Sequence, residues 1–341
     1  MPSNSTKILL LLTLVMGTLV SVSSNSWMGA WVGLEINLMS FIPLMNNTKN
    51  MYNTEAALKY FIIQVMASAT LLFMVTMKTT SEDLFTFTDN LFTPMVVCSP
   101  LFLKTGAAPL HWWFPGVMEG LSWENCTLLM TIQKAAPMML MSYLMQSNPL
   151  TLTIIMSSIF VGAIGGLNQT SLRKILTYSS INHTGWMLMA LISTKPLWTM
   201  YFTIYSTMVT AVVMILKLSN TSFINQTTMS NKQSTTMKLG MFTSLLSLGG
   251  LPPFLGFLPK WMVIQTMITN NMTPMAVTMI SLSLITLYYY LKICYSSFLM
   301  LSTEPKWNPQ QQKKSSNTWT MILSSITLSG MLMCPIIFNI M

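Results

Sequence analysis

Apolar stretches of about 18 to 25 residues recur from one end of this chain to the other, and no other feature constrains its folding as strongly. Each is long enough to cross a hydrocarbon layer about 30 Å thick. Lipid offers the backbone no hydrogen-bond partner, so segments of this length must satisfy their own amides and carbonyls as helices. Charge agrees with this reading. Of 341 residues, 52% are hydrophobic and only 7% charged, against roughly a quarter charged in soluble domains. The expected class is an all-α polytopic membrane protein, with the lipid membrane as its solvent and first partner.

Apolar runs, read against Pro, Gly and charge clusters, give about eleven transmembrane spans. They cover 6–22, 26–44, 54–77, 91–118, 123–145, 149–168, 174–193, 196–218, 237–270, 274–300 and 316–340. The first run, followed by the small polar stretch Ser21 to Ser26, has the shape of a secretory signal and is read instead as a first transmembrane helix. Lys7, Lys49, Arg173, Lys174, Lys217, Lys232, Lys238, Lys306, Lys313 and Lys314 fall on one side, and chiefly Lys78 and Lys195 on the other. By the positive-inside rule the amino terminus is inside, and an odd number of crossings leaves the carboxyl terminus outside. The polar insert Lys78 to Asn90, with Glu82, Asp83 and Asp89, also falls outside.

Several chemistries are excluded. Cys98, Cys126, Cys294 and Cys334 are far apart, with no C-x-x-C, so no metal or iron–sulfur site is expected. Two histidines, His111 and His183, are too few for a multi-haem electron carrier. No glycine-rich phosphate loop is present. The net charge of +9 is scattered over helix ends as orientation signals are, so no nucleic acid is expected.

The fourth and ninth spans are too long and too rich in Gly and Pro to be ordinary helices. The first reads Gly106-x-x-Pro109-x5-Pro115 and the second Gly250-x-x-Pro253-x5-Pro259, matching at a constant offset of 144 residues. The two are five places apart in the order of spans, an odd number, so the second crosses in the opposite sense. An inverted repeat of five-helix units with two broken helices is expected, its halves about 6–145 and 149–300 within one transmembrane domain, 1–341, with 316–340 as an extra helix. Proline removes a backbone donor and crowds the preceding turn. Paired interruptions of this kind in two halves mark transport sites.

Among the charges, Glu35, Lys104, Lys134 and Lys260 sit mid-span. A charge at the bilayer centre costs about 2.5 to 3.5 kcal/mol on insertion scales, so each needs a partner or internal water. Lysine, unlike arginine, exchanges its proton when desolvated, so a row of buried lysines can act as a proton relay. Each residue also has a static reading. Glu35 and Lys104 could be an ion pair between helices, Lys134 a snorkelling side chain, and Lys260 a donor to carbonyls freed at Pro259. His183 could be a buried hydrogen-bonding imidazole or a proton shuttle, and His111, within the first break, is equally open. Glu55 and Lys59 fit an i,i+4 pair at a helix entrance.

Five ordered segments carry a family resemblance: Gly29-Ala-Trp-x-Gly-Leu-Glu-Ile-Asn-Leu, Leu103-Lys-Thr-Gly-Ala-Ala-Pro-Leu-His-Trp-Trp-Phe-Pro, Gly165-Gly-Leu-Asn-Gln-Thr-Ser-Leu-Arg-Lys, Ser179-Ser-Ile-Asn-His-Thr-Gly-Trp-Met and Leu248-Gly-Gly-Leu-Pro-Pro-Phe-Leu-Gly-Phe-Leu-Pro-Lys-Trp. Over almost its whole length the chain resembles the NADH dehydrogenase subunit 2 family of animal mitochondria. The resemblance implies a core membrane subunit of respiratory complex I in the mitochondrial inner membrane, its amino terminus on the matrix side and its carboxyl terminus facing the intermembrane space. It implies proton translocation by a relay of Glu35, Lys104, Lys134, Lys260 and His183, coupled to quinone reduction elsewhere. It implies no cofactor in this chain, since NAD, FMN, iron–sulfur clusters and ubiquinone are used by the whole complex. The neighbours it implies are subunit 4, subunit 4L and the lateral helix of subunit 5. Two rival readings are a structural membrane subunit whose charges hold helices in register, and a free-standing transporter.

Overall fold

The computed structural model describes residues 4–46, 50–84, 92–229, 235–299, 324–325 and 327–328. Among them all regular structure is helical apart from one isolated bridge between Ser171 and Phe223. Two compact units divide the chain, Met1–Ser158 and Ile159–Met341.

The first unit opens with α1 (Asn4–Ser23) and α2 (Trp27–Met45). The Ser26 side chain starts α2 by accepting a hydrogen bond from Gly29 N, as an N-cap does. Glycines bring these two helices together backbone to backbone. A Cβ on Gly33 would lie 2.5 Å from Ser21 N, and one on Gly17 would lie 2.8 Å from Asn37 N. Only glycine permits that approach, the usual device where helices pack in lipid. It holds the α2 face bearing Asn37 in the unit's interior.

Next come α3 (Met51–Leu84), α4 (Phe92–Thr105), α5 (Trp113–Gly120), α6 (Trp123–Met130) and α7 (Ile132–Met141). The helix α3 packs on α2, α4 and α5, while α7 packs on α1, α2, α4 and α6. The apolar run that predicts α3 ends at residue 77, yet the helix continues through Glu82 to Leu84, because neither Gly nor Pro interrupts that stretch. Helix α8 (Pro149–Gly165) carries the chain into the second unit.

The second unit is built on α9 (Leu172–Ser193), which is buried along most of its length. Helices α10 (Lys195–Ser219) and α13 (Phe257–Thr269) pack on it. The short α11 (Ile224–Met229), then α12 (Thr235–Gly249) and α14 (Thr273–Leu299), complete the unit. Helix α10 ends on Asn220 in the left-handed conformation at φ 51°, a common helix stop.

Among the described residues, five helices are long and apolar enough to cross a membrane by themselves: Ser5–Ser23, Trp27–Met45, Met51–Met77, Lys195–Ser219 and Thr273–Tyr295. The chain is a multi-pass membrane protein. Both expected breaks are present. The 91–118 run divides into α4 and α5 at Gly106 (φ 72°), and the 237–270 run into α12 and α13 at Gly250 (φ 81°). A third interruption has no counterpart in the sequence reading. The 123–145 run, which reads as one span, divides into α6 and α7 at Thr131, where φ is −112° and ψ is −81°. Nearly all of the expected 316–340 span lies outside the described residues.

Candidate functional site

Each of the three interruptions carries a buried lysine. Lys104 closes α4 two residues before Gly106, Lys134 lies in the first turn of α7 after Thr131, and Lys260 lies in the first turn of α13. They are 7%, 2% and 5% exposed. Where a helix breaks, backbone groups lose their i→i−4 partners. The break thus provides both polar surroundings and space for a side chain that an unbroken apolar helix would expel.

In the first unit Lys104 and Lys134 line one cavity with about 20 Å³ open to the centre of a water molecule, enough for one water. Asn37, Tyr60, Gln64, Gln133 and Trp113 also line it. Tyr60 donates to Gln133 Oε1 (3.1 Å), and Gln133 Nε2 donates to Asn37 Oδ1 (2.8 Å). Donors satisfy the carbonyls of the broken helix. Trp113 Nε1 binds Leu103 O (3.1 Å), Gln64 Nε2 reaches Lys104 O (3.5 Å), and Ser157 Oγ binds Ala108 O (3.0 Å). Lys134 Nζ lies 4.8 Å from the centroid of the Phe114 ring, within cation–π range. It is enclosed in the unit and does not reach its surface as a snorkelling side chain would.

Glu35, half-buried on α2, acts on Lys104 through space. The two do not form a direct ion pair. A direct ion pair is formed instead by the exposed Glu55 and Lys59, one turn apart on α3 as their spacing predicts. His111 lies in the loop between α4 and α5, its Nδ1 3.2 Å from Pro109 O.

In the second unit Lys260 Nζ donates to Gly249 O at 2.9 Å, the carbonyl exposed by the end of α12. It also lies 6.0 Å from the centroid of the Trp186 ring. One turn before Trp186 on α9 is His183, whose Nδ1 is 3.0 Å from the Tyr201 hydroxyl and whose ring lies 5.1 Å from that of Tyr205. Lys104 and Lys134 thus share one cavity, while Lys260 lies by Trp186 of α9, the helix that also carries His183. Sequence reasoning missed Asn37, Tyr60, Gln64 and Gln133, although Asn37 stands two residues after Glu35 and Gln133 beside Lys134. Among the described residues no three His, Cys, Asp or Glu side chains converge as a metal site.

Comparison with known proteins shows the family. Residues 24–286 match the family described as NADH:quinone oxidoreductase/Mrp antiporter, TM. NADH-ubiquinone oxidoreductase chain 2 of Locusta migratoria is 46% identical over 333 residues, 97% of each chain. That of Anopheles gambiae is 46% identical over 340 residues, again 97% of each. A chain in the structure of respiratory complex I from Thermus thermophilus with bound aureothin has the same fold, with a TM-score of 0.83 over 97% of this chain and 79% of that one at 21% identity. On its broken helices, its buried lysines and this similarity, the chain belongs to the NADH-ubiquinone oxidoreductase chain 2 family.

Proposed function

We propose that this chain is an antiporter-like membrane subunit of respiratory NADH:ubiquinone oxidoreductase that translocates protons across the mitochondrial inner membrane. Glu35, Lys104, Lys134, His183 and Lys260 are the groups that carry or control the proton. The observation that carries this reading is the cavity shared by Lys104 and Lys134. Two amines around one water-sized space cannot both be charged without mutual repulsion, so protonating one lowers the proton affinity of the other. A change at Glu35, felt by Lys104, is thereby passed to Lys134.

Quinone reduction in other subunits supplies the perturbation, and NAD, FMN, iron–sulfur clusters and ubiquinone act elsewhere in the complex. The chain crosses the membrane eleven times as an inverted repeat of five-helix units, with its amino terminus in the matrix and its carboxyl terminus toward the intermembrane space. Similar positive φ values at Gly106 and Gly250, 144 residues apart, support the repeat. Subunit 4, subunit 4L and the lateral helix of subunit 5 are its neighbours.

The test is Lys134→Met or Glu35→Gln in the assembled complex, with protons moved per NADH oxidised as the measurement. The ratio falls if the relay operates. An unchanged ratio with normal NADH oxidation assigns these charges to structure alone. One observation favours a static role at a single position, since Lys260 caps Gly249 O.

A further inference from the structure

The second unit contains a group of buried hydroxyls that the relay leaves unused. Tyr205 of α10, Tyr290 of α14, and Ser179 and Ser180 of α9 are all buried. The Tyr205 hydroxyl lies by Ser180 and within electrostatic reach of Tyr290, and the Tyr290 hydroxyl lies by Ser179 and Tyr289, whose ring centroid is 4.7 Å from its own. This group meets both relay residues of the unit. The His183 ring lies 5.1 Å from that of Tyr205, tilted at 45° to it. On the other flank Tyr290 packs on Gly249, where a Cβ would lie 3.6 Å from its ring, and Gly249 O is the acceptor for Lys260.

Phenylalanine would fill the same space without burying a polar group, and each buried hydroxyl without a good partner costs about 1 to 3 kcal/mol. The hydroxyls therefore need a reason. Those of Tyr289 and Tyr290, on rings 4.7 Å apart, are buried without a well-formed hydrogen bond. Neighbouring groups of this kind call for ordered water. The group also has a direction. Ser179, Ser180 and His183 lie seven, eight and eleven residues into α9 from Leu172, or roughly 10, 12 and 16 Å by helical rise. At the outer end Tyr289 packs on Gly166, where a Cβ would be 2.8 Å from its ring, just past the end of α8.

We propose that Tyr290, Ser179, Ser180 and Tyr205, with water among them, form the proton route between the Arg173-Lys174 end of this unit and His183. A hydroxyl both donates and accepts. Each takes a proton on its oxygen as it releases its own, the last proton is received by a ring nitrogen of His183, and no electron moves. The proposal rests on the relay reading of His183 and Lys260.

The test uses Tyr205→Phe and Tyr290→Phe, singly, in the assembled complex in sealed vesicles, with Lys260→Met beside them. Both tyrosine changes keep the ring and remove only the oxygen. Protons moved per NADH, counted per assembled complex, should fall in either variant by as much as in Lys260→Met, with the site of NADH oxidation unaffected. Tyrosine variants that pump normally while Lys260→Met does not would overturn the hydroxyl route and leave the relay standing. Normal pumping in all three overturns both. If a tyrosine variant assembles poorly, Ser179→Ala takes its place with the same ratio measured: a fall supports the route, and normal pumping overturns it.

Discussion

The two broken helices match in backbone and differ in what fills the break. In the first, neutral donors from Trp113, Gln64 and Ser157 satisfy the freed carbonyls, and the lysine lies on the limb before the break with its amine at a cavity. In the second, the lysine lies on the limb after the break and is itself the donor, to Gly249 O. The 144-residue offset pairs Lys260 with Gly116 and Lys104 with Leu248. The halves share a way of interrupting a helix and place the charge independently. The second break is also tighter. A Cβ on Gly256 would fall 1.7 Å from Ser247 O, whereas the residue at the corresponding position of the first break is Trp112, 66% exposed.

This contrast can be tested in steps of decreasing effect. Gly256→Ala should be the most damaging, because no real Cβ sits that close to a carbonyl and the backbone must move. Its expected outcome is little or no chain in the assembled complex, read as complex abundance. Normal abundance would show that the second break is as open as the first.

Next, Lys260→Met should lose stability as well as pumping, since it leaves a buried carbonyl without a donor at a cost of about 1 to 3 kcal/mol. Lys104→Met should lower pumping and leave thermal stability nearly unchanged, its carbonyl being held by Gln64. Heat inactivation of the two variants separates them, and equal midpoints would erase the distinction.

Gly106→Ala is penalised only through its backbone. The site has room, with nearest side-chain atoms 3.5 Å from the added Cβ, but φ is 72°, which costs a non-glycine residue about 1 to 2 kcal/mol. A modest fall in thermal stability with normal protons per NADH is expected. Smallest of all is Gly116→Ala in α5, where a Cβ meets nothing within 4 Å. It should be neutral or stabilise by at most about 1 kcal/mol through helix propensity. A loss of assembled complex would instead mean that a neighbouring subunit packs on this face.

Much of this was legible in the residues. Gly106 and Gly250 announced the two breaks, and Lys104, Lys134 and Lys260 stood out as charges amid apolar runs. Thr131 gave no such warning. No glycine or proline marks it, and threonine is common within helices. The Glu35 and Lys104 pairing expected from their depth is an interaction at a distance, because sequence position gives depth along a helix and not which face of a neighbour a side chain meets. The tyrosines of α10 and α14 carry no such mark, since a hydroxyl buried beside Ser179 or Ser180 is indistinguishable in the sequence from one facing the interface.

By itself the sequence determined that the chain is helical and in lipid, where its helices are interrupted by glycine, and which side chains are too costly to bury without purpose. Those follow from composition and local backbone chemistry, because lipid leaves an unpaired peptide group or a lone charge no alternative. Only the tertiary structure decided which amine shares a cavity and which one caps a carbonyl. That choice depends on contacts between helices far apart in the chain, such as Gln64 with Lys104, and no local pattern encodes them.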